Sequence, residues 1–99
     1  MIMEIAAIEV KPEMTAEFQI NAGKARILFA RAPGCHGMEL QRVIEHPARF
    51  LLVVQWESVA HHMEMFRQSA DFAAWRELVG HCIAAPPEVI HTEAVVWPD

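Results

Sequence analysis

The chain has 99 residues with 13 acidic and 8 basic side chains, and a net charge of -5 leaves no basic footprint for nucleic acid or an anionic membrane surface. Hydrophobic residues make up 54% of it and mean hydropathy is +0.16, more apolar than a soluble monomer of this length needs, so composition points to one domain that also forms an interface. A chain this short buries only ~60 to 70% of its unfolded surface and gains from burying more by self-association.

From the N-terminus, Ile2 to Val10 reads as a strand, with Ile5 and Ala7 on one face and Ala6, Ile8 and Val10 on the other, closed by Lys11-Pro12. From Glu13 to Arg31 the residues Met14, Phe18, Ala22, Ala25, Phe29 and Ala32 recur at the spacing of an amphipathic helix, which Ala32-Pro33-Gly34 ends. His36 to Glu45 alternates as a second strand, with Met38 and Leu40 opposite Glu39 and Gln41, and His46-Pro47-Ala48 makes a turn. The third strand, Arg49 to Glu57, is apolar on both faces: Phe50, Leu52, Val54 and Trp56 line one, Leu51 and Val53 the other. The chain's own helices can cover one of these faces, and a second copy is expected to cover the other.

Ser58 is placed to cap a short helix through Phe66. A longer helical pattern from Asp71 to Ala84 carries the stripe Phe72, Trp75, Leu78, Val79 and Cys82, Pro86-Pro87 breaks it, and Glu88 to Val96 reads as a last strand. The order βαββαβ is the split arrangement of an α+β, ferredoxin-like domain, a four-stranded antiparallel sheet with helices on one face. The expected single domain spans residues 1-99, with a core over 1-96 and a short tail at 97-99.

Several function classes lose support at this level. No GxGxxG, Walker A, GxSxG or HExxH motif is present. Of the six histidines, His61 and His62 are adjacent and point about 100° apart on a helix, while His36, His46, His81 and His91 lack a ligand-spaced partner, so no metal site is expected. Cys35 and Cys82 form no CxxC pair and read as structural thiols. No apolar run nears the roughly 20 residues of a membrane span. Met1-Ile2-Met3-Glu4 lacks the features of a secretory leader, which makes the cytoplasm the expected location.

Three blocks, Ala32-Pro33-Gly34-Cys35, Gln55-Trp56-Glu57-Ser58 and Pro86-Pro87-Glu88-Val89, in this strand order resemble the antibiotic biosynthesis monooxygenase superfamily of dimeric α+β barrels. The resemblance implies a homodimer closed through the sheet faces around a barrel-like interior. In oxygenase members that oxidise a phenolic ring to a quinone without metal or flavin, a Trp ends the third strand, an Asn precedes it by four residues, a Tyr follows by six and an Arg sits on the last helix. Trp56 and Arg76 match, while Leu52 stands for the Asn and His62 for the Tyr.

What the resemblance implies is a cofactor-independent monooxygenase of a small hydrophobic phenol or quinol, with molecular oxygen as co-substrate. His62 would act as general base, Arg76 would hold the phenolate, and Trp56 would stand in the wall. Leu52, Met38, Met63 and Phe66 are expected to line the pocket. A non-catalytic or small-metabolite-binding dimer of the same fold is the alternative. The haem-degrading branch fits less well, because the first strand has no Asn, and Phe66 and Arg76 fall where that branch carries its Trp and haem-ligating His.

Overall fold

A computed structural model describes all 99 residues. Its strands are β1 (Ile2–Glu9), β2 (Cys35–Arg42), β3 (Arg49–Trp56) and β4 (Glu88–Thr92). Its helices are α1 (Thr15–Lys24), α2 (Arg26–Ala30) and α3 (Ala70–Val79), with a π-wound turn at His61–Phe66 and 3-10 turns at Pro12–Met14 and Gly80–Cys82. The sheet order is β2-β3-β1-β4, every pairing is antiparallel, and the architecture is the α+β ferredoxin-like one.

Alternation on β3 works as its sequence dictates. Phe50, Leu52, Val54 and Trp56 are buried together with Ala6, Ile8 and Val10 of the neighbouring strand and with the helical stripe Phe18, Ala22, Ala25, Leu28, Phe29 and Ala32. Phe18 lies tilted on Phe50 with ring centroids 5.0 Å apart, tying α1 to the centre of the sheet.

Most element boundaries fall within one residue of the sequence expectation, and the larger differences have local causes. The helix expected over Glu13 to Arg31 opens as a 3-10 turn and breaks at Ala25, whose N–H is shared by the carbonyls of Asn21 and Ala22, each at 3.1 Å. Gly23, the weakest helix former in that segment, lies just before the break. β2 ends at Arg42 instead of Glu45, where the chain turns toward β3. The helix expected to reach Ala84 ends at Val79, and Ile83 instead bridges to Val10 as extended backbone. β4 stops at Thr92 instead of Val96 because its partner runs out: Thr92 pairs with Met3, one residue from the start of β1.

The face turned away from the helices stays partly open. Ile5 lies between Val53 and Ile90, with Met3, Ala7 and Leu51 on the same face, and Ile90 is 56% exposed.

Because Phe18 is fully buried against Phe50, Phe18→Ala removes a ring whose place cannot be refilled. Unfolding stability should drop by about 3–5 kcal/mol, read from the shift of the urea midpoint at an unchanged slope.

Candidate active site

The inward face of β1 reads Ile2, Glu4, Ala6, Ile8, so strand parity alone carries a carboxylate into the apolar layer. Glu4 is only 5% exposed. In the β1–β3 register Ile2 faces Trp56 and Glu4 faces Val54, which puts the indole diagonally across from Glu4 on the same face. Trp56 Nε1–H donates to Glu4 Oε1 at 3.0 Å. On the other flank His91 of β4 pairs directly with Glu4.

His62 arrives from the π-wound turn. Arg67 N–H donates to the His62 carbonyl at 2.9 Å, the five-residue step of that winding. Ser58 holds the start of the turn, its Oγ accepting from the His61 N–H at 3.3 Å and lying 2.8 Å from His61 Nδ1. Gly34, at φ +80°, lies so close beneath the His61 ring that a Cβ there would overlap it. With His61 tied outward, His62 turns inward and is 2% exposed.

The imidazole of His62 stacks on Trp56 at 5.4 Å and 17°. Its Nε2 lies 3.3 Å from Glu4 Oε1 and its Nδ1 lies 2.8 Å from His91 Nε2. Nδ1 is thus hydrogen-bonded, while Nε2 faces the Glu4 carboxyl. Glu4 Oε1 has two neighbours, whereas Oε2 makes no hydrogen bond within the protein and is not sealed from solvent.

Glu4 and His62 of this cluster line a cavity of about 620 Å³ between the sheet and α3. Glu4, His62, Arg67 and Arg76 supply its charged and polar groups, and Ala6, Ile8, Leu52, Phe72, Trp75 and Val79 much of its apolar wall. Pro86 and Pro87 also line it.

Of the residues expected at a site, His62, Arg76 and Leu52 thus reach one cavity. Trp56 is completely buried and touches it only through Glu4 and His62. Met38 packs against the core from β2, at the sheet edge away from β4, and so stands off from a cavity built over β1 and α3. Phe66 is a core ring between Phe29, Trp56 and Phe72, and the winding of the turn leaves Met63 on its exposed side. Met38, Met63 and Phe66 are therefore not wall residues. Sequence reasoning missed Glu4, His91 and Arg67. The usable signal for Glu4 was its parity with Ala6 and Ile8 on a strand whose inward face is otherwise apolar.

Burial pushes the Glu4 carboxyl above its ordinary range, against the opposing pull of the Trp56 N–H and the Arg67 charge. Burial, followed by the charges of His91 and Arg67, holds His62 at about 4. A different trio, Glu17, His81 and Cys82, brings ligand atoms within 4.8 Å of one another. Its members already satisfy each other: His81 pairs with Glu17, and the Cys82 thiol donates to the same carboxylate at 3.7 Å. Burial and then the Glu17 charge push that thiol up, away from the thiolate a metal would require.

The depressed His62 pKa has a defined consequence for stability. The unfolded chain protonates this residue near 6.5 and the folded chain only near about 4, so between those values the unfolded state binds more protons. Its contribution is present above pH 6.5 and is lost as pH falls toward 4. Denaturant titrations from pH 7 to 4 should show wild type losing on the order of 3 kcal/mol more than His62→Gln over that window.

Comparison with known proteins agrees with this architecture. Residues 1–78 match the family model described as antibiotic biosynthesis monooxygenase. A Bordetella bronchiseptica crystal structure described as a "Putative antibiotic biosynthesis monooxygenase" is 55% identical, with 96% of this chain and 97% of that one aligned at a TM-score of 0.94. A Nitrosomonas europaea structure with the same description shares the fold at a TM-score of 0.82 and 20% identity, covering 97% of this chain and 100% of that one. The uncharacterised Bacillus subtilis protein YczJ is 27% identical over 95 residues, 96% of this chain and 100% of that one. The chain belongs to the antibiotic biosynthesis monooxygenase family.

Proposed function

We propose that this protein is a cofactor-independent monooxygenase that converts a small hydrophobic phenol or quinol to a quinone. The observation that carries the reading is the carboxylate facing an apolar cavity, Glu4 with Oε1 held by Trp56 and Oε2 unpartnered. Family membership supports monooxygenase chemistry in general.

A phenol becomes an electron donor to oxygen once it is deprotonated. A carboxyl made more basic by burial is suited to take that proton, and Glu4 Oε2 is the free acceptor. His62 has Nδ1 bonded to His91 and Nε2 beside Glu4, and its part in this reading is to link Glu4 to half-buried His91 and thereby to the edge of the sheet. Positive charge from Arg76 and Arg67 favours the phenolate, and the apolar wall keeps water from the oxidised intermediate. In the balanced reaction the substrate supplies the electrons and one oxygen atom leaves as water; the other becomes the second quinone carbonyl when the substrate is a phenol, or the added hydroxyl of a hydroxyquinone when it is a quinol. Neither metal nor organic cofactor enters that balance.

Oxygen uptake with a panel of phenols and naphthalenediols tests this. Glu4→Gln should lower turnover by about 10²-fold or more while binding is largely kept. Unchanged uptake in that variant would remove Glu4 from the chemistry. Leu52 favours the second reading, a metabolite-binding protein without catalysis, because it puts no amide in the wall to hold an oxyanion; a panel in which ligands bind and none is oxidised decides for it.

The same proposal includes a homodimer closed through the open sheet face. Ile5, Leu51, Val53 and Ile90 form its apolar centre, and a charge buried there without a partner would be costly. Light scattering should give twice the chain mass for wild type at micromolar concentration. Val53→Lys should give a monomer or an unfolded chain.

A further inference from the structure

Charge around the cavity points beyond a simple phenol. In a chain of net charge -5, the cavity is lined by two arginines, Arg67 and Arg76, and by one acidic residue, Glu4, whose ionisation burial opposes. Of the other arginines, Arg31 pairs with Asp71, Arg49 with Glu9, and Arg26 donates to the Gly23 carbonyl, while Arg42, at the end of the edge strand β2, does not line the cavity. Neither Arg67 nor Arg76 has an acidic partner within ion-pair distance. Both also line a smaller adjoining depression of about 400 Å³, with Phe72 common to the two.

Arg67 is held in place without a counter-ion. Its guanidinium lies over the Phe72 ring, 5.4 Å from the centroid, and its Nη1 lies 3.9 Å from Met63 Sδ. From there its charge acts on both Glu4 and His62.

We propose that the ligand of this cavity is an aromatic hydroxy acid, its apolar ring against Leu52, Phe72 and Val79 and its carboxylate held by Arg67 and Arg76. This rests on the phenol reading above for the hydroxyl, whereas the carboxylate follows from charge. A phenolic proton passed to Glu4 leaves one phenolate facing two guanidinium groups, and a permanent carboxylate supplies the second negative charge. Arg76 is expected here from the family resemblance; Arg67 is the added specificity residue.

Isothermal titration calorimetry with 6-hydroxy-2-naphthoate and its neutral relative 6-hydroxy-2-naphthamide, without oxygen, tests the proposal on the wild-type protein. The carboxylate should bind at least tenfold more tightly, and that preference should shrink as salt is raised. R67Q should remove most of the preference by weakening the acid and leaving the amide unchanged, whereas R31Q should retain it. Equal affinity for the two probes, binding of neither, or a preference that survives in R67Q/R76Q overturns the proposal. Subsequent admission of air separates it from the reading it rests on. Preferential binding without oxygen consumption keeps the acidic ligand and removes the monooxygenase, whereas consumption with equal affinities does the reverse.

Discussion

A carboxylate withdrawn from water must find hydrogen-bond donors or give up its charge, and Glu4 sets this condition for the whole domain. Its solution needs several parts of the chain at once. The β1–β3 register has to bring the Trp56 N–H across from Ile2 to Glu4, the π-wound turn has to lower His62 onto the indole, and β4 has to place His91 on the second imidazole nitrogen. Each of these groups is polar and largely hidden, so an error in register or winding would strand at least one of them. Apolar burial stabilises the fold in general; this polar cluster restricts how strands and turn can meet.

The cavity exists because helical cover stops short. α3 ends at Val79, and the chain from Gly80 through Pro87 crosses toward β4 as a 3-10 turn and loop instead of another turn of helix. Ala85, Pro86 and Pro87 cannot fill the space a helical stripe would occupy, and Gly80 adds no side chain. The gap therefore lies over β1, where the inward residues Ala6 and Ile8 form part of the wall and Glu4 supplies a polar group. The other sheet face faces a different shortage, since no helix of this chain reaches Ile5, Val53 and Ile90.

Much of the fold was legible because apolar spacing is a local property. The even positions of β3 and the stripe from Phe18 to Ala32 are buried as their periods imply, and the two-sided apolar character of β3 correctly marks a sheet left open on one side. The site was legible only in part. His62, Arg76 and Leu52 meet at the cavity, whereas Phe66 went into the core, Met38 packs against it from β2 and Met63 stayed on the surface. Strand order separates Met38 from the cavity, and the wide winding of the turn sets which of its side chains point inward; neither can be read from residue spacing.

Although α3 stops at Val79, well before Pro86-Pro87, the sequence by itself determined which faces are apolar and that Pro33-Gly34 closes the first helical stretch, and hence the βαββαβ order and one-sided layering. These follow from periods of two and about 3.6 residues, which neighbouring positions carry without reference to distant ones. Only the tertiary structure decided that Glu4, Trp56, His62 and His91, drawn from the start, middle and end of the chain, form one polar cluster, and that Arg67 joins Arg76 at its cavity. The reason is physical: such contacts depend on strand register, on where β4 runs out of partner and on five-residue winding at His62, all of which are settled when remote segments pack together.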